Sequence, residues 1–411
     1  MHPYSKKSET LGKLRQGPLG PYLETFISQL RDEGYGVETT HRKLRLLAKF
    51  SSWLTKTRIP IEQIGDLHAE KFLAYYARRR YLQSSDPAAL KRLLVILRQY
   101  RVTPNEVEKT KPTPAELMTE EFVNYLLNER GLTKSTAFHY QQFVKQFLNT
   151  RFADGAIGLT DLMSADIVSF VRIRSASLGH KRAKLMTCSL RSFLKFAYYK
   201  GFLQTEMEGA VPKVVGWSMS DVPKALPINH LTRILTLCDR SKPRDRRDFA
   251  ILLLLSRLGL RAGEIVTLTL DDIDWELGSI NISGKGGQSS ELPLPTDVGE
   301  AISEYLQKDR PKTSSRSIFF TVKAPIVPLP RQESVGHIVA RRLTKAGIDT
   351  PRKGAHQLRH SLATEMLRQG STLDEIGELL RHHSSQSTMI YAKVDLVSLQ
   401  KLALPWPGGV Q

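Results

Sequence analysis

Through roughly the first two hundred residues, apolar side chains recur three and four positions apart. That period restricts this part of the chain to packed helices. Leu23, Phe26, Ile27 and Leu30 form one such run, and Leu44, Leu47, Phe50 and Leu54 form another. Thr39 and Thr40, just ahead of the second run, are candidate helix caps. Residues 103–114, rich in Pro, Thr, Lys and Glu, read as a linker. Beyond it Phe122, Tyr125, Leu126 and Leu127 are expected to begin a helix. Ser135 or Thr136 caps the next, with Tyr140, Phe143, Val144 and Phe147 on its apolar side. A weak echo runs between residues 64–72 and residues 159–167. A duplicated helical domain explains it, and so does chance matching between two bundles.

Past a proline-bearing second linker the period changes. Residues 279–283 alternate as a strand, and residues 291–294 can return antiparallel through the turn Gly284-Lys285-Gly286-Gly287. Residues 317–321 read as a third strand. At 411 residues the chain is too long for one core. The expected fold is mainly α and multidomain. Helical domains span residues 1–112 and 113–212, and a linker covers residues 213–226. An α+β domain with a small antiparallel sheet completes the chain at residues 227–411.

Sixty Lys and Arg against forty-one Asp and Glu give a formal charge of +19. Such a surplus attracts polyanions, nucleic acid first among them, with steep salt dependence. His180, Lys181, Arg182, Lys184, Arg191 and Lys195 fall on or near one expected helix. There they can meet phosphates or simply form a solvated basic face. No apolar run reaches the roughly 18 residues of a membrane span, and the N-terminus lacks a secretory pattern. No lipidation motif or polybasic tail points to a membrane. With only Cys188 and Cys238, neither a disulfide framework nor a zinc site is expected. A cytoplasmic protein is the natural expectation.

The chemistry-bearing residues lie in the last third. Gly284-Lys285-Gly286 is no phosphate-binding P-loop, because Gly278 stands one residue too far upstream and Gly286 replaces the required hydroxyl residue. Lys285 instead sits at a hairpin tip, free to meet a nucleic-acid backbone. His356 and Arg359, three apart, share a helix face. Glu264, one turn after Arg261, can fix that guanidinium. Two fixed arginines can pair with phosphate oxygens and stabilise the charge of a phosphoryl transition state.

With those residues in view, the stretch from Leu226 to Val394 resembles the catalytic domain of the tyrosine recombinases, or phage-type integrases. Arg261 lies in Leu-Gly-Leu-Arg-Ala-Gly-Glu, and Lys285 in Gly-Lys-Gly. His356 and Arg359 lie in His-Gln-Leu-Arg-His, and His382 stands nine residues before Tyr391. The resemblance implies that Tyr391 is the nucleophile, forming a 3′-phosphotyrosyl link. It further implies that Arg261 and Arg359 clamp the phosphate, that Lys285 is the general acid, and that His356 and His382 assist. It implies double-stranded DNA as partner, a homotetramer on paired sites, and related recombinases or accessory proteins as further partners. No ATP, other cofactor or metal is implied.

Residues 113–212 suit the core-binding domain of that family, and the first 112 an arm-type or additional DNA-binding domain. Two departures stand out. Arg381 occupies the glycine of the usual Leu-Gly-His, and Gln288 follows the lysine turn where a basic residue is usual. His383 also competes with His382 on everything but spacing. A type IB topoisomerase shares the nucleophile and charge clamp, and a decayed, non-catalytic DNA-binding protein is the other alternative. The apolar residues Val394, Leu396, Leu399 and Leu402 can pack on a neighbouring protomer or in cis.

Overall fold

The computed structural model describes residues 9–103, 113–152, 157–214, 225–284, 289–351, 353–382 and 384–394. The apolar spacing of the N-terminal region produces α1 (Glu9–Gln16), α2 (Leu23–Asp32), α3 (Val37–Thr57), α4 (Asp66–Ala77) and α5 (Asp86–Gln99). Leu23, Phe26, Ile27, Leu30, Leu44, Leu47, Phe50 and Leu54 are all buried in one cluster. Thr39 and Thr40 do not cap α3. The helix begins two residues earlier, after Gly36, and Thr40 is buried inside it.

A second bundle follows with α6 (Pro114–Asn124), α7 (Lys134–Phe152), α8 (Ser164–Ala176) and α9 (His180–Tyr199). Phe122 closes α6 rather than opening a helix, and Tyr125–Glu129 continues it as a π-helical turn. The cap preceding α7 is Thr133, whose hydroxyl accepts from Thr136 N at 3.3 Å, so neither Ser135 nor Thr136 plays that part. Both bundles place a short 3-10 turn after their longest early helix, α3 or α7: Ile61–Gln63 before α4, and Leu159–Asp161 before α8. In each, the residue third from the cap reaches back to the capping N–H. His68 Nδ1 accepts from Gly65 N at 3.3 Å, and Asp166 Oδ2 from Met163 N at 3.0 Å. By this geometry buried Ile64 matches buried Leu162, not Leu159. The echo is architectural, three residues out of the register that letter matching gives.

The remaining elements are α10 (Ile228–Thr236), α11 (Pro243–Arg257), α12 (Ala262–Thr267), β1 (Ile273–Asp274), β2 (Ser279–Ser283), β3 (Ser289–Pro293), α13 (Thr296–Lys308), α14 (Gln332–Lys345), α15 (Ala355–Arg368) and α16 (Leu373–Leu379). The strands form an antiparallel meander in chain order, with Ser279 opposite Pro293 and Ser283 opposite Ser289. The third strand is not 317–321. That segment makes only isolated bridges, Thr269 to Ser317 and Phe320 to Pro328. Ile318, Phe319 and Phe320 are buried in succession rather than alternately, and prolines at 325, 328 and 330 cannot donate to a ladder. The actual third strand, β1, has two residues and is too short to show a period.

The core of this region surrounds α11, whose residues from Ala250 to Leu255 are all buried. Its first turns are fixed by ions. Arg342 of α14, nearly fully buried, donates to both Asp245 and Asp248, and Arg247 also pairs with Asp248. Hydrogen bonding from Arg342 overcomes burial and holds the Asp245 carboxyl at about 2.

Two compact units divide the chain, Asn105–Ser220 being one and Met1–Pro104 with Asp221–Gln411 the other. Within the latter, Ile326 N donates to the Glu33 carbonyl at 2.9 Å, and the Ile326 side chain covers Gly34.

Candidate active site

The site begins with a glycine. Gly259, in Leu-Gly-Leu-Arg, has φ +58°, and a Cβ there would lie 2.6 Å from Leu380 Cδ2. Glycine takes this backbone conformation without strain and lets the turn after α11 pass close to the Leu380 and Leu362 side chains. Its carbonyl then accepts from Arg359 Nη1, while Arg359 Nη2 donates to the Leu380 carbonyl. Arg359 is 1% exposed, and its Nε has no acceptor. Burial, and after it the charges of Arg261 and Arg381, lower its pKa to about 10, so it stays cationic at neutral pH.

Arg261 precedes α12 and is fixed by Glu264, as its three-residue spacing predicts. Glu264 Oε2 accepts from Arg261 N at 2.7 Å and Oε1 from Arg261 Nη1 at 2.7 Å. The second guanidinium nitrogen, Nη2, donates to the Arg381 carbonyl at 3.0 Å. Arg381 returns its own Nη2 to Glu264 Oε2 at 2.9 Å. Burial favours protonation of Glu264, but the Arg261 N–H and then the two guanidinium groups prevail and hold its pKa low.

The third group holds the histidines and the tyrosine. His356 and His360 lie one turn apart on α15 with ring centroids 4.3 Å apart. Tyr391, in the 3-10 segment Met389–Val394, is 1% exposed and packs with Ala363, Ile376 and Leu380. Its hydroxyl lies 2.9 Å from His360 Nδ1. Burial pushes the phenol up to about 12. His382 Nδ1 lies 2.7 Å from Thr388 Oγ1. Burial, then Arg359, Arg261, His356 and Arg381, lower the His382 imidazole to about 4.

A recess of 250 Å³ beside these groups is lined by Leu260, Arg261, Ala262, Gly263, Gln332 and His356. Lys285 and His383 lie outside the described residues, as do Leu396, Leu399 and Leu402. Sequence reasoning gave no role to His360, Arg381 or Thr388. His360 was visible within His-Gln-Leu-Arg-His, and Arg381 as a departure from glycine, but nothing in the sequence signalled Thr388. Among the described residues no group of three or more His, Cys, Asp and Glu side chains could hold a metal ion. None of the described helices is long and apolar enough to cross a membrane.

In the other unit, α9 carries all the basic residues singled out above. His180, Lys181, Arg182, Lys184 and Lys195 are exposed. Arg191 is turned to its own domain, donating to the carbonyls of Val211 and Pro212 at 2.9 and 3.0 Å. Lys195 pairs with Glu208 at 3.2 Å.

Comparison with known proteins bears on the chain's family and fold. The phage integrase family model matches residues 224–396, and the phage integrase N-terminal SAM-like domain model matches residues 119–201. The y4rA protein of Sinorhizobium fredii (strain NBRC 101917 / NGR234), named as an integrase/recombinase, is 44% identical over 402 residues, 98% of each chain. The tyrosine recombinase XerD of Listeria monocytogenes serotype 4b (strain F2365) is 30% identical over 292 residues, 69% of this chain and 96% of its own. Among solved structures, the XerH site-specific recombinase in its post-cleavage complex with palindromic difH shares the fold. Its TM-score is 0.56 at 18% identity, over 73% of this chain and 98% of that one.

The chain belongs to the phage integrase family of tyrosine recombinases, enzymes that break and rejoin DNA strands. Its relationship to y4rA takes in the N-terminal bundle as well as the domains that the family models match.

Proposed function

We propose that the residues around Arg261, Arg359 and Tyr391 form the strand-exchange centre. The carrying observation is that Arg359 and Arg261 are held by the consecutive carbonyls of Leu380 and Arg381, directly before His382. Segments more than a hundred residues apart thereby converge on one cationic site.

The Tyr391 oxygen attacks the scissile phosphorus as its proton passes to His360 Nδ1, 2.9 Å away, and the bond to the 5′-oxygen breaks. Lys285 gives that oxygen its proton, leaving a 5′-hydroxyl and a 3′-phosphotyrosyl link. Arg261 and Arg359 bind the non-bridging oxygens, where charge accumulates. His356 serves in proton transfer and His382 hydrogen-bonds the phosphate. The 5′-hydroxyl of another strand then attacks the link and frees Tyr391. The phosphodiester energy is kept in the covalent bond, so no nucleotide is consumed.

Residues 113–212 are assigned the core-binding role, with Lys181, Arg182 and Lys184 meeting phosphates. Residues 227–411 form the catalytic domain, and the first 112 an additional DNA- or protein-contacting domain. Four copies act on two duplexes, in the integration, excision or transposition of a mobile element. The protein works in the cytoplasm, on the nucleoid when DNA-bound. Recovering covalently trapped DNA from the host genome identifies the site. A plasmid bearing two copies then tests the activity. Exchange between the sites supports recombination, whereas relaxation without exchange would place the enzyme with the topoisomerases.

A further inference from the structure

We infer that Arg381 is a positioning residue of the strand-cleavage site. It holds Glu264 away from sole pairing with Arg261, and it keeps the site cationic around a buried carboxylate. This inference rests on the proposed strand-exchange chemistry.

Three observations carry it. First, Arg381 has φ +53°, in the left-handed region that favours glycine. A side chain there crowds the following carbonyl and strains the backbone. The resemblance to the tyrosine recombinases puts glycine at this position, so the backbone alone gives no reason for an arginine.

Second, the side chain is directed inward. It is 9% exposed, its Nη2 donates to Glu264 Oε2 at 2.9 Å and its Nη1 to the Leu379 carbonyl at 3.1 Å. Its Nε, like that of Arg359, is buried without an acceptor. Buried guanidinium N–H groups left unpaired are costly unless an anion completes them.

Third, the charges do not balance. Arg261, Arg359 and Arg381 surround the single carboxylate of Glu264 and leave a surplus of two positive charges, matched to a phosphate gaining charge. Without Arg381, Glu264 would pair with Arg261 alone and cancel its charge. The bend at 381 also aims the Leu380 and Arg381 carbonyls at Arg359 and Arg261, so main chain and side chain contribute separately.

Arg381→Gly separates the two, because glycine keeps the bend and removes the cation. In the full-length protein on a nicked suicide duplex carrying the captured site, this variant should melt no lower than wild type. It should bind DNA within about twofold of wild type. Its single-turnover adduct formation should fall about tenfold, and Arg381→Lys should recover most of it. The His382 imidazole, faced by Arg359, Arg261, His356, Arg381 and the Thr388 hydroxyl, should titrate at higher pH in Arg381→Gly, because one neighbouring cation is removed. Adduct formation by Arg381→Gly at the wild-type rate overturns the inference while leaving the chemistry standing. Failure of the wild-type protein to form an adduct overturns both.

Discussion

His360 Nδ1 and the Tyr391 hydroxyl lie 2.9 Å apart, joining helix α15 to the segment that holds the phenol. The phenol is buried and this bond fixes its hydroxyl against α15. A phenol pushed up to about 12 is protonated at neutral pH and needs a proton acceptor or a strong cation to attack. His360 is placed to accept that proton and to fix the ring.

Replacing His360 should therefore impair chemistry more than binding. His360→Phe is expected to lower single-turnover adduct formation by about a hundredfold, the usual scale when an acid–base partner is removed. DNA affinity, measured by fluorescence anisotropy, should change little. Equal losses in affinity and rate would show that His360 serves the fold instead.

Gly259→Ala tests the support beneath Arg359. The positive φ strains any residue with a Cβ, and a methyl group there would have to displace the Leu380 side chain, whose Cδ2 lies 2.6 Å away. The variant should lose about 2 kcal/mol in denaturant unfolding. Because the Gly259 carbonyl holds Arg359, adduct formation should fall as well, even where the protein remains folded.

The basic residues of α9 should divide by function. Each of Lys181→Ala, Arg182→Ala and Lys184→Ala should weaken DNA binding across sequences. Each should also flatten the dependence of log affinity on log salt by about 0.9 for every phosphate left unneutralised. Arg191→Ala should leave that slope unchanged and cost about 1 kcal/mol of stability, because its guanidinium holds the carbonyls of Val211 and Pro212.

His382 sets a pH signature. Its pKa is lowered from 6.5 to about 4 by burial and by Arg359, Arg261, His356 and Arg381. Below pH 6.5 the unfolded chain takes up a proton at this residue that the folded chain refuses until about 4. Stability must therefore rise with pH across that window and be lost as pH falls through it. Melting temperatures between pH 6.5 and 4 should drop less steeply for His382→Gln than for wild type. Parallel curves would mean that His382 is not buried as a neutral ring.

Much of the helical framework was legible in the sequence, because its buried positions repeat with the helical period. Leu23 to Leu54 and Tyr140 to Phe147 needed nothing else. Element ends were less legible. Gly36 and Thr133 cap helices where nearby threonines and serines offered the same chemistry. β1 was too short to carry a period, and the apolar run Ile318 to Phe320 mimicked a strand. At the site, the spacing of Arg261 and Glu264 foretold their ion pair. Pairings such as His360 with Tyr391 and Arg381 with Glu264 depend on how α15, α16 and the turn at Gly259 pack, and no local pattern encodes that packing. The echo between the bundles was visible, but in the wrong register. What repeats is a 3-10 turn, a buried aliphatic residue and a reaching third residue, rather than particular letters.

The most direct test of the account is the phenol itself. Tyr391→Phe keeps the ring that packs on Ala363, Ile376 and Leu380 and removes only the oxygen. Incubated with a nicked suicide duplex and resolved on a denaturing gel, wild type should give a covalent protein–DNA band. The variant should bind the same DNA with unchanged affinity and give none. A covalent adduct from Tyr391→Phe at the wild-type level would contradict the assignment of Tyr391 as nucleophile.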